Sequence, residues 1–223
     1  MREIVLDTET TGFDPQTGDR IVEIGAVEII DKLPTGQTYH QYINPERDMP
    51  ESAFRVHGLS SEFLSDKPVF ALVAAEFLQF IEDSPLVIHN ASFDMKFINF
   101  ELERIGAAAV DYDRAVDTLA IAQRRFPGSP ASLDALCRRF QVDNSKREKH
   151  GALLDSELLA EVYLHLMGGR QTNLELANST TVETRVLANR QVRAARIFPI
   201  AKAEEKAHAE FVSAMPNALW NNE

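Results

Sequence analysis

The sequence predicts an α/β domain built on a mixed five-stranded sheet with flanking helices. Near the N-terminus, three strand-like segments follow one another with short links, which favours an antiparallel meander. From Pro50 onward the apolar residues recur at helical spacing, and short apolar runs separate the helices. Strands first, and then alternating strands and helices, are typical of an α/β domain with a mixed sheet.

The expected strands can be placed in order along the chain. The first covers Arg2–Leu6 and is followed by TTGFDPQTGD, a turn rich in Gly, Pro and Asp. The segment RIVEIGAVEII alternates well enough to form the second strand, and GQTYHQYINP forms the third. The short apolar run PLVIHN supplies the fourth, and AVDTLAIAQRRFPG passes from the fifth strand into a helix.

Helices are expected where an apolar stripe recurs every three or four residues. Two of them, FALVAAEFLQFI and FDMKFINFELERIG, flank the fourth strand, and the second ends at Gly106. Two more, SLDALCRRFQV and ALLDSELLAEVYLHLMGG, follow the fifth strand, and the last ends at Gly168 and Gly169. Cys137 lies on the apolar stripe of its helix, so we expect a buried core thiol.

The composition is typical of a soluble globular protein and narrows the possible functions. Of the 223 residues, 44% are hydrophobic and 26% are charged. No apolar run approaches the roughly 18 residues that a membrane-spanning helix needs. A single cysteine excludes an intramolecular disulfide framework and a cysteine-based zinc cluster. These features predict a cytoplasmic protein with no membrane partner.

The charge is distributed unevenly along the chain. The net charge is −11, and residues 1–169 hold 16 Lys and Arg against 28 Asp and Glu, whereas residues 170–223 hold 7 against 6. Such an acidic first part argues against broad electrostatic binding to nucleic acid. Any binding of nucleic acid must therefore depend on a local part of the surface, on divalent metal ions or on a partner.

Four acidic residues and one histidine lie at the edges of apolar elements. Asp7 and Glu9 follow the first strand and, as positions i and i+2, share one face. Asp94 follows the fourth strand near a helix start, and His150 and Asp155 lie at the start of the last helix. Taken singly, each acid fits a solvated strand end or the first turn of a helix. Taken as a set, they indicate a metal site.

The chemistry of this set predicts the kind of ion. Carboxylate oxygens suit Mg²⁺ or Mn²⁺ better than zinc. Asp7 and Glu9 repel each other unless something positive lies between them. We therefore expect two divalent ions per site, since paired ions about 3.5–4 Å apart can clamp the attacking and leaving oxygens of a phosphodiester.

Three motifs in order carry a specific resemblance. The segments DTETTG, HNASFDMKF and HGALLDSELLA resemble the three motifs of the DEDDh family of 3′→5′ exonucleases, which have a ribonuclease H-like fold, and the match spans residues 2–167. EIGAVE, VHGL, LSDKP, SLDALCRRF and DNSKR are similar to the proofreading exonucleases of bacterial DNA polymerase III. The resemblance implies metal-dependent removal of mispaired nucleotides from a DNA 3′ end, with release of nucleoside 5′-monophosphates.

The family pattern also implies roles for individual residues. Asp7, Glu9 and Asp155 would hold the metal ions and contact the substrate. Asp94 would complete the acidic set, partly through water, and His150 would be the general base. The terminal nucleotide would be bordered by a further group of residues, namely Thr10, Thr11, Gly12, Phe13 and His57.

Some of these interpretations leave an alternative open. His57 resembles the family position that touches the terminal nucleotide, but a packed histidine at a helix end has the same sequence pattern. Lys146, Arg147 and Lys149 precede the general base. They either touch phosphates of the substrate or form a solvated charged loop.

The last part of the chain is expected to bind partners. Residues 170–189 are polar and suit a flexible linker, in which QTNLEL (Gln171, Leu174 and Leu176) resembles a motif that binds the sliding clamp. Residues 190–223 regain apolar residues, with two short amphipathic helices and a terminal group that includes Trp220. The resemblance implies that this tail docks on the alpha subunit of DNA polymerase III. A small theta-like subunit is a further candidate partner, and residues 1–169 would form the exonuclease domain.

Three other interpretations fit parts of the pattern. An exonuclease of the same superfamily that trims RNA or short oligonucleotides shares the motifs but usually lacks such a tail. A phosphatase of the haloacid dehalogenase type would use Asp7 as a nucleophile, but its second acid is normally Asp, and we find no convincing lysine motif. A non-catalytic scaffold could keep the fold, but all five key side chains are present in this sequence.

Overall fold

A five-stranded mixed sheet forms the centre of the protein. The computed structural model describes residues 1–145, 147, 149–169 and 200–215. The strands are β1 (Arg2–Thr10), β2 (Ile21–Ile30), β3 (Leu33–Tyr42), β4 (Leu86–Ile88) and β5 (Ala115–Asp117). They lie in the order β3-β2-β1-β4-β5. The first three strands pair antiparallel, and β4 and β5 add in parallel beside β1, which confirms the predicted sheet.

Strand β1 is longer than the sequence indicated. It ends at Thr10 and not at Leu6, so the prediction placed its end too early. The backbone stays paired with β2 through this stretch, where Asp7 lies opposite Gly25, and the register shifts only after Glu9. Asp7 and Glu9 therefore project from a paired strand, which holds their backbones more firmly than a loop would.

Helices flank the sheet. In the first part of the chain they are α1 (Glu51–His57), α2 (Ser61–Leu64), α3 (Phe70–Ile81), α4 (Ala91–Arg104), α5 (Thr118–Arg125), α6 (Leu133–Phe140) and α7 (Ala152–Leu166). Helices α3, α4, α6 and α7 lie where the apolar stripes predicted them, and α5 lies where the passage from the fifth strand into a helix was expected. The short helices α1 and α2 were not predicted, since so few turns leave no room for a periodic pattern. No helix among the described residues is long and apolar enough to cross a membrane.

Strand β1, which carries Asp7 and Glu9, is buried on both of its faces. Ile4 and Leu6 pack into one apolar cluster that includes Phe77 of α3. Val5 points to the other face and packs into a second cluster with residues of α5, α6 and α7. Cys137 belongs to this second cluster and is fully buried, so the predicted core thiol is confirmed.

Helix α7 approaches β2 very closely at Gly25. A Cβ atom at this position would lie 2.2 Å from backbone atoms of Ala152 and Leu153. The Ser156 hydroxyl donates a hydrogen bond to the Gly25 carbonyl oxygen at 2.9 Å. This contact sets the distance of α7 from the sheet, and with it the position of Asp155 in the first turn of α7.

The chain divides into two compact units, Met1–Leu174 and Glu175–Glu223. Of the second unit the structure describes residues 200–215, which include helix α8 (Lys202–Ser213). One of the two expected tail helices therefore has a counterpart, and the other lies outside the described residues. The same holds for the singled-out side chains of the linker and the tail: Gln171, Leu174, Leu176 and Trp220.

Candidate active site

The predicted acids and the histidine come together at one edge of the sheet. Asp7 and Glu9 project from β1. Asp94 and Asp155 lie in the first turns of α4 and α7, and His150 lies just before α7. Ligand atoms of Glu9, His150 and Asp155 lie within 4.8 Å of one another, close enough to share one metal ion. Asp7 and Asp94 are outside this group of three but belong to the same acidic cluster, because the Asp94 charge acts on the pKa of Asp7.

Asp94 ties helix α4 to the strand that carries the other acids. Its Oδ1 atom accepts hydrogen bonds from the Thr8 backbone nitrogen at 3.0 Å and from the Thr8 hydroxyl at 2.7 Å. Thr8 lies between Asp7 and Glu9, so this pair of bonds fixes the peptide that spaces the two acids. The carboxylate of Asp94 keeps its second oxygen for other partners.

The electrostatics of the cluster favour a bound cation. Burial raises the pKa of Asp7, and the nearby charges of Asp94 and other acids raise it further. Burial and the charge of Asp155 raise the pKa of Glu9 to about 8. Burial also raises the pKa of Asp94 to about 7, although the hydrogen bonds from Thr8 act in the opposite direction. It is therefore unfavourable for these acids to be ionised at the same time. A divalent cation would offset both the cost of a buried charge and the repulsion between the carboxylates, so the residues present fit Mg²⁺ or Mn²⁺.

Within the described part of the chain, Asp155 is the acid of the set that is hydrogen-bonded to a positively charged side chain. Burial raises its pKa, but hydrogen bonds from His150 and Arg147 outweigh burial, and the resulting pKa is below the usual value. Arg147 donates from Nε to Oδ1 at 2.5 Å and from Nη2 to Oδ2 at 2.7 Å. The guanidinium is only 7% exposed and also donates to Asp134 at 2.8 Å. Arg147 is therefore neither a solvated loop residue nor free to contact a phosphate in this arrangement.

His150 faces the acids and is 49% exposed. Its Nδ1 atom lies 2.8 Å from Nη2 of Arg147 and 3.4 Å from Oδ2 of Asp155. Its backbone nitrogen donates to the Val56 carbonyl oxygen at 3.2 Å, which ties the residue to helix α1. The residue expected to act as a base is thus adjacent to the metal-ligand group and accessible from solvent.

A cleft of about 240 Å³ opens beside the acids, and most of the expected nucleotide-binding residues line it. These are Asp7, Glu9, Thr10, Gly12, Phe13 and His57. Phe13 is 85% exposed, which is unusual for an aromatic side chain and suits a surface on which a base can stack. Thr11 does not line the cleft, because it is buried and its hydroxyl is already paired with Asp19 and the Arg20 backbone.

His57 lines this cleft with an unpaired ring nitrogen. Its Nδ1 atom accepts a hydrogen bond from the Leu59 backbone nitrogen at 3.0 Å, so the proton of the neutral ring lies on Nε2. Burial lowers the pKa of His57, which favours this neutral form. Nε2 is buried and makes no hydrogen bond of good geometry within the described residues, and its interaction with the Thr10 backbone only partly opposes the effect of burial on the pKa. A buried donor without a well-formed hydrogen bond is costly, and a bound ligand with an acceptor atom would satisfy it.

The sequence analysis missed several residues of the site. Ser52 and Val56 line the first cleft from α1, a helix that the pattern did not predict. His89 and Asn90 also line it, and they follow β4 directly, so the rule that placed Asp94 could have found them. A second cleft of about 410 Å³ lies on the Asp155 side and includes Arg147. Lys146 is outside the described residues, and Lys149 places its Nζ atom 5.1 Å from the centre of the Phe54 ring.

Comparison with known proteins gives one consistent family. Residues 4–163 match the exonuclease family. The chain is 52% identical to the DNA polymerase III subunit epsilon of Rickettsia felis, covering 96% of this chain and 97% of that protein. It is 49% identical to the subunit of the same name from Escherichia coli K12, covering 79% of this chain and 75% of that protein. The subunit of the same name from Haemophilus influenzae is 41% identical, and the alignment covers 93% of that protein.

Solved structures support the fold. Exonuclease X in complex with 5′ overhanging duplex DNA is similar with a TM-score of 0.57 and 24% identity, over 74% of this chain and 90% of that one. A 3′-exonuclease that recognises the 3′ end of a histone mRNA stem-loop is similar with a TM-score of 0.64 and 16% identity, over 74% of this chain and 63% of that one. These similarities confirm the predicted ribonuclease H-like class of fold.

Proposed function

The chain belongs to the exonuclease family and, within it, to the epsilon subunits of DNA polymerase III, and from this premise we propose that it removes mispaired nucleotides from DNA 3′ ends by hydrolysis with two divalent ions. The observation that carries the proposal is the convergence of Asp7, Glu9, Asp94, His150 and Asp155 from distant parts of the chain at one sheet edge. The phosphatase interpretation loses its support, since the exonuclease family matches most of the chain.

The acids of the cluster hold the ions in this proposal. When bound, two ions of Mg²⁺ or Mn²⁺ would stabilise the negative charge that develops as the phosphodiester is cleaved. Asp7, Glu9 and Asp155 would provide the oxygen ligands, and a bound cation would offset the burial and mutual repulsion that raise the pKa values of Asp7 and Glu9. Asp94 completes the set and keeps β1 in place through its bonds to Thr8.

His150 takes the proton of the attacking water. Histidine is the side chain that most often acts as a general base, because its neutral ring has a lone pair that accepts a proton. Its partial exposure lets the proton pass on to solvent after each turnover. The product is then a nucleoside 5′-monophosphate, because the water attacks the phosphorus and the 3′ oxygen of the preceding nucleotide leaves.

The cleft beside the acids receives the terminal nucleotide. Phe13 offers an exposed aromatic face to the base, and Nε2 of His57 offers a donor to an oxygen of the nucleotide. Gly12 keeps the turn after β1 narrow, since a Cβ atom there would meet the Asp19 carboxylate at 2.2 Å. The acidic surroundings give little general attraction for a duplex, so a frayed single-stranded 3′ end is the preferred substrate.

The partners follow from the relatives' names and from the tail. Proteins named as subunits of DNA polymerase III act within that enzyme, so we expect residues 190–223 to dock on its alpha subunit. The motif at residues 171–176 is expected to bind the sliding clamp, and a theta-like subunit is a further candidate. Residues 170–189 would connect the exonuclease domain of residues 1–169 to this tail.

Digestion of a 3′-mispaired primer tests the proposal. With Mg²⁺ or Mn²⁺ we expect the full chain to remove the mispaired nucleotide faster than a paired one and faster than the ends of short RNA, and to be inactive in EDTA. Asp7→Asn should reduce the rate by at least about a hundredfold, because it removes a charged metal ligand. The matched control Asp83→Asn changes an exposed acid in a turn and should keep the wild-type rate. Faster trimming of RNA, or activity of Asp7→Asn at the wild-type rate, would contradict the proposal.

A further inference from the structure

We propose that Arg147 competes with the divalent ions for Asp155. The inference rests on the proposed function of the site. It adds a positioning residue that sets how readily the site binds metal.

The first argument is the use of the Asp155 carboxylate. Nε and Nη2 of Arg147 bind its two oxygens at 2.5 and 2.7 Å, which is the bidentate geometry of a strong ion pair. Asp155 is also one of the three residues whose ligand atoms lie close enough to share a metal ion. A guanidinium and a divalent cation on the same carboxylate repel each other. Binding of an ion at Asp155 therefore works against this ion pair.

The second argument is the burial of this ion pair. The side chain of Arg147 is 7% exposed and that of Asp155 is 3% exposed. A buried pair of charges is screened much less than a pair at the surface. An ion that binds Asp155 therefore has to overcome a strong attraction between Asp155 and Arg147.

The third argument is that Arg147 has a second charged partner. Nη1 donates to Oδ1 of Asp134 at 2.8 Å, and Asn144 donates to the same oxygen at 3.2 Å. Asp134 lies at the start of α6 and belongs to no metal-ligand group among the described residues. Arg147 can thus give up Asp155 to an ion and remain paired with Asp134, so its displacement does not leave a buried charge without a partner.

The competition can be measured as metal affinity, separately from nuclease activity. Mn²⁺ is titrated calorimetrically into the full chain, into Arg147→Gln and into the matched control Arg138→Gln, which removes an exposed arginine from α6. We expect Arg147→Gln to bind Mn²⁺ about tenfold more tightly, since a charge-assisted bond no longer opposes the ion. Arg147→Lys, which keeps the charge but not the bidentate geometry, should lie between, and Arg138→Gln should match the wild type.

The outcomes separate this inference from the proposed function. Unchanged or weaker Mn²⁺ binding by Arg147→Gln would overturn the inference, because a residue that only orients Asp155 would aid the ion. A wild-type chain that binds neither Mn²⁺ nor Mg²⁺ would contradict the proposed function itself. If Arg147→Gln does not fold, Arg147→Lys decides, since Mn²⁺ binding by this variant no tighter than that of the wild type would overturn the inference.

Discussion

His57 presents to the cleft a buried N–H group that makes no well-formed hydrogen bond with the described residues, and the roles of its two ring nitrogens can be tested separately by mutation. In His57→Asn the side-chain oxygen can still accept from Leu59, but no donor remains at the Nε2 position. We expect kcat/KM on a DNA 3′ end to fall about tenfold, the cost of one hydrogen bond to the nucleotide. Steady-state kinetics on single-stranded DNA measures the effect.

The matched variant is His57→Gln, in which the amide nitrogen comes close to the Nε2 position. It should keep most of the activity although it loses the bond from Leu59. Mn²⁺ affinity should be the same in both variants, since His57 is not in the metal-ligand group. Equal activity of wild type and His57→Asn would mean that the buried N–H does not contact the nucleotide.

At the level of single residues, the sequence could predict that Asp7 and Glu9 share a face, but not that Arg147 is buried. The two-residue period of a strand puts Asp7 and Glu9 on one face, whatever the rest of the chain does. The burial of Arg147 depends on Asp134 and Asp155, which come from two different helices. In the sequence Arg147 stands among charged residues and looks solvated, so only the tertiary structure reveals its partners.

At the level of elements, the contact of α7 with β2 makes Gly25 a position where no side chain fits. In Gly25→Ala the new Cβ atom would overlap the backbone of α7, which cannot move aside as a flexible side chain can. We expect a loss of about 3 kcal/mol in the free energy of unfolding, at the upper end of overpacking costs, and a strong loss of activity because Asp155 is displaced. Thermal unfolding and the primer assay measure the two effects.

Ser156→Ala provides the comparison for this prediction. It removes the hydrogen bond to the Gly25 carbonyl but leaves room for α7, so we expect a loss of about 1 kcal/mol and nearly normal activity. A Gly25→Ala variant as active as Ser156→Ala would show that the position of Asp155 does not depend on this close approach.

The elements were predictable in proportion to their length and periodicity. Helices α3 and α7 were found because their apolar stripes span several turns. The end of β1 was placed too early because an acid after an apolar run looks like a strand end, whereas here pairing with β2 continues past Asp7. Helix α1 has only seven residues and a mostly polar sequence, so its contribution to the cleft became visible only in the structure.

At the level of the whole molecule, catalysis and assembly are expected to reside in different parts of the chain. Every described residue of the candidate site lies within residues 1–169, and the unit Met1–Leu174 is compact by itself. Deletion of residues 190–223 should therefore leave exonuclease activity on single-stranded DNA intact and abolish co-purification with the polymerase subunit. Gel filtration of the mixture, together with the primer assay, measures both.

An internal control for this deletion is the full chain carrying Asp7→Asn. It should show the reverse pattern, with no nuclease activity and normal complex formation. A deleted chain that still co-elutes with the polymerase subunit would show that the exonuclease domain, and not the tail, makes the contact.

The arrangement of the whole domain was largely predictable, and the tail was not. The five strands and the antiparallel pairing of the first three followed from the patterns, because strands joined by short links pair with their neighbours along the chain. The order in which β4 and β5 join the sheet became visible only in the structure. For the tail the sequence predicts only short amphipathic segments, which put no such constraint on their arrangement. We expect its role to depend on a surface that belongs to another protein.

The bond from His150 to the carbonyl of Val56 has a consequence for fidelity. Val56 and His57 form the last turn of α1, and both line the cleft that is proposed to receive the nucleotide. A nucleotide that presses this turn out of place also moves the imidazole. We therefore expect the rate of bond cleavage to depend on how well the terminal nucleotide fits the cleft, and not only on whether a nucleotide is bound.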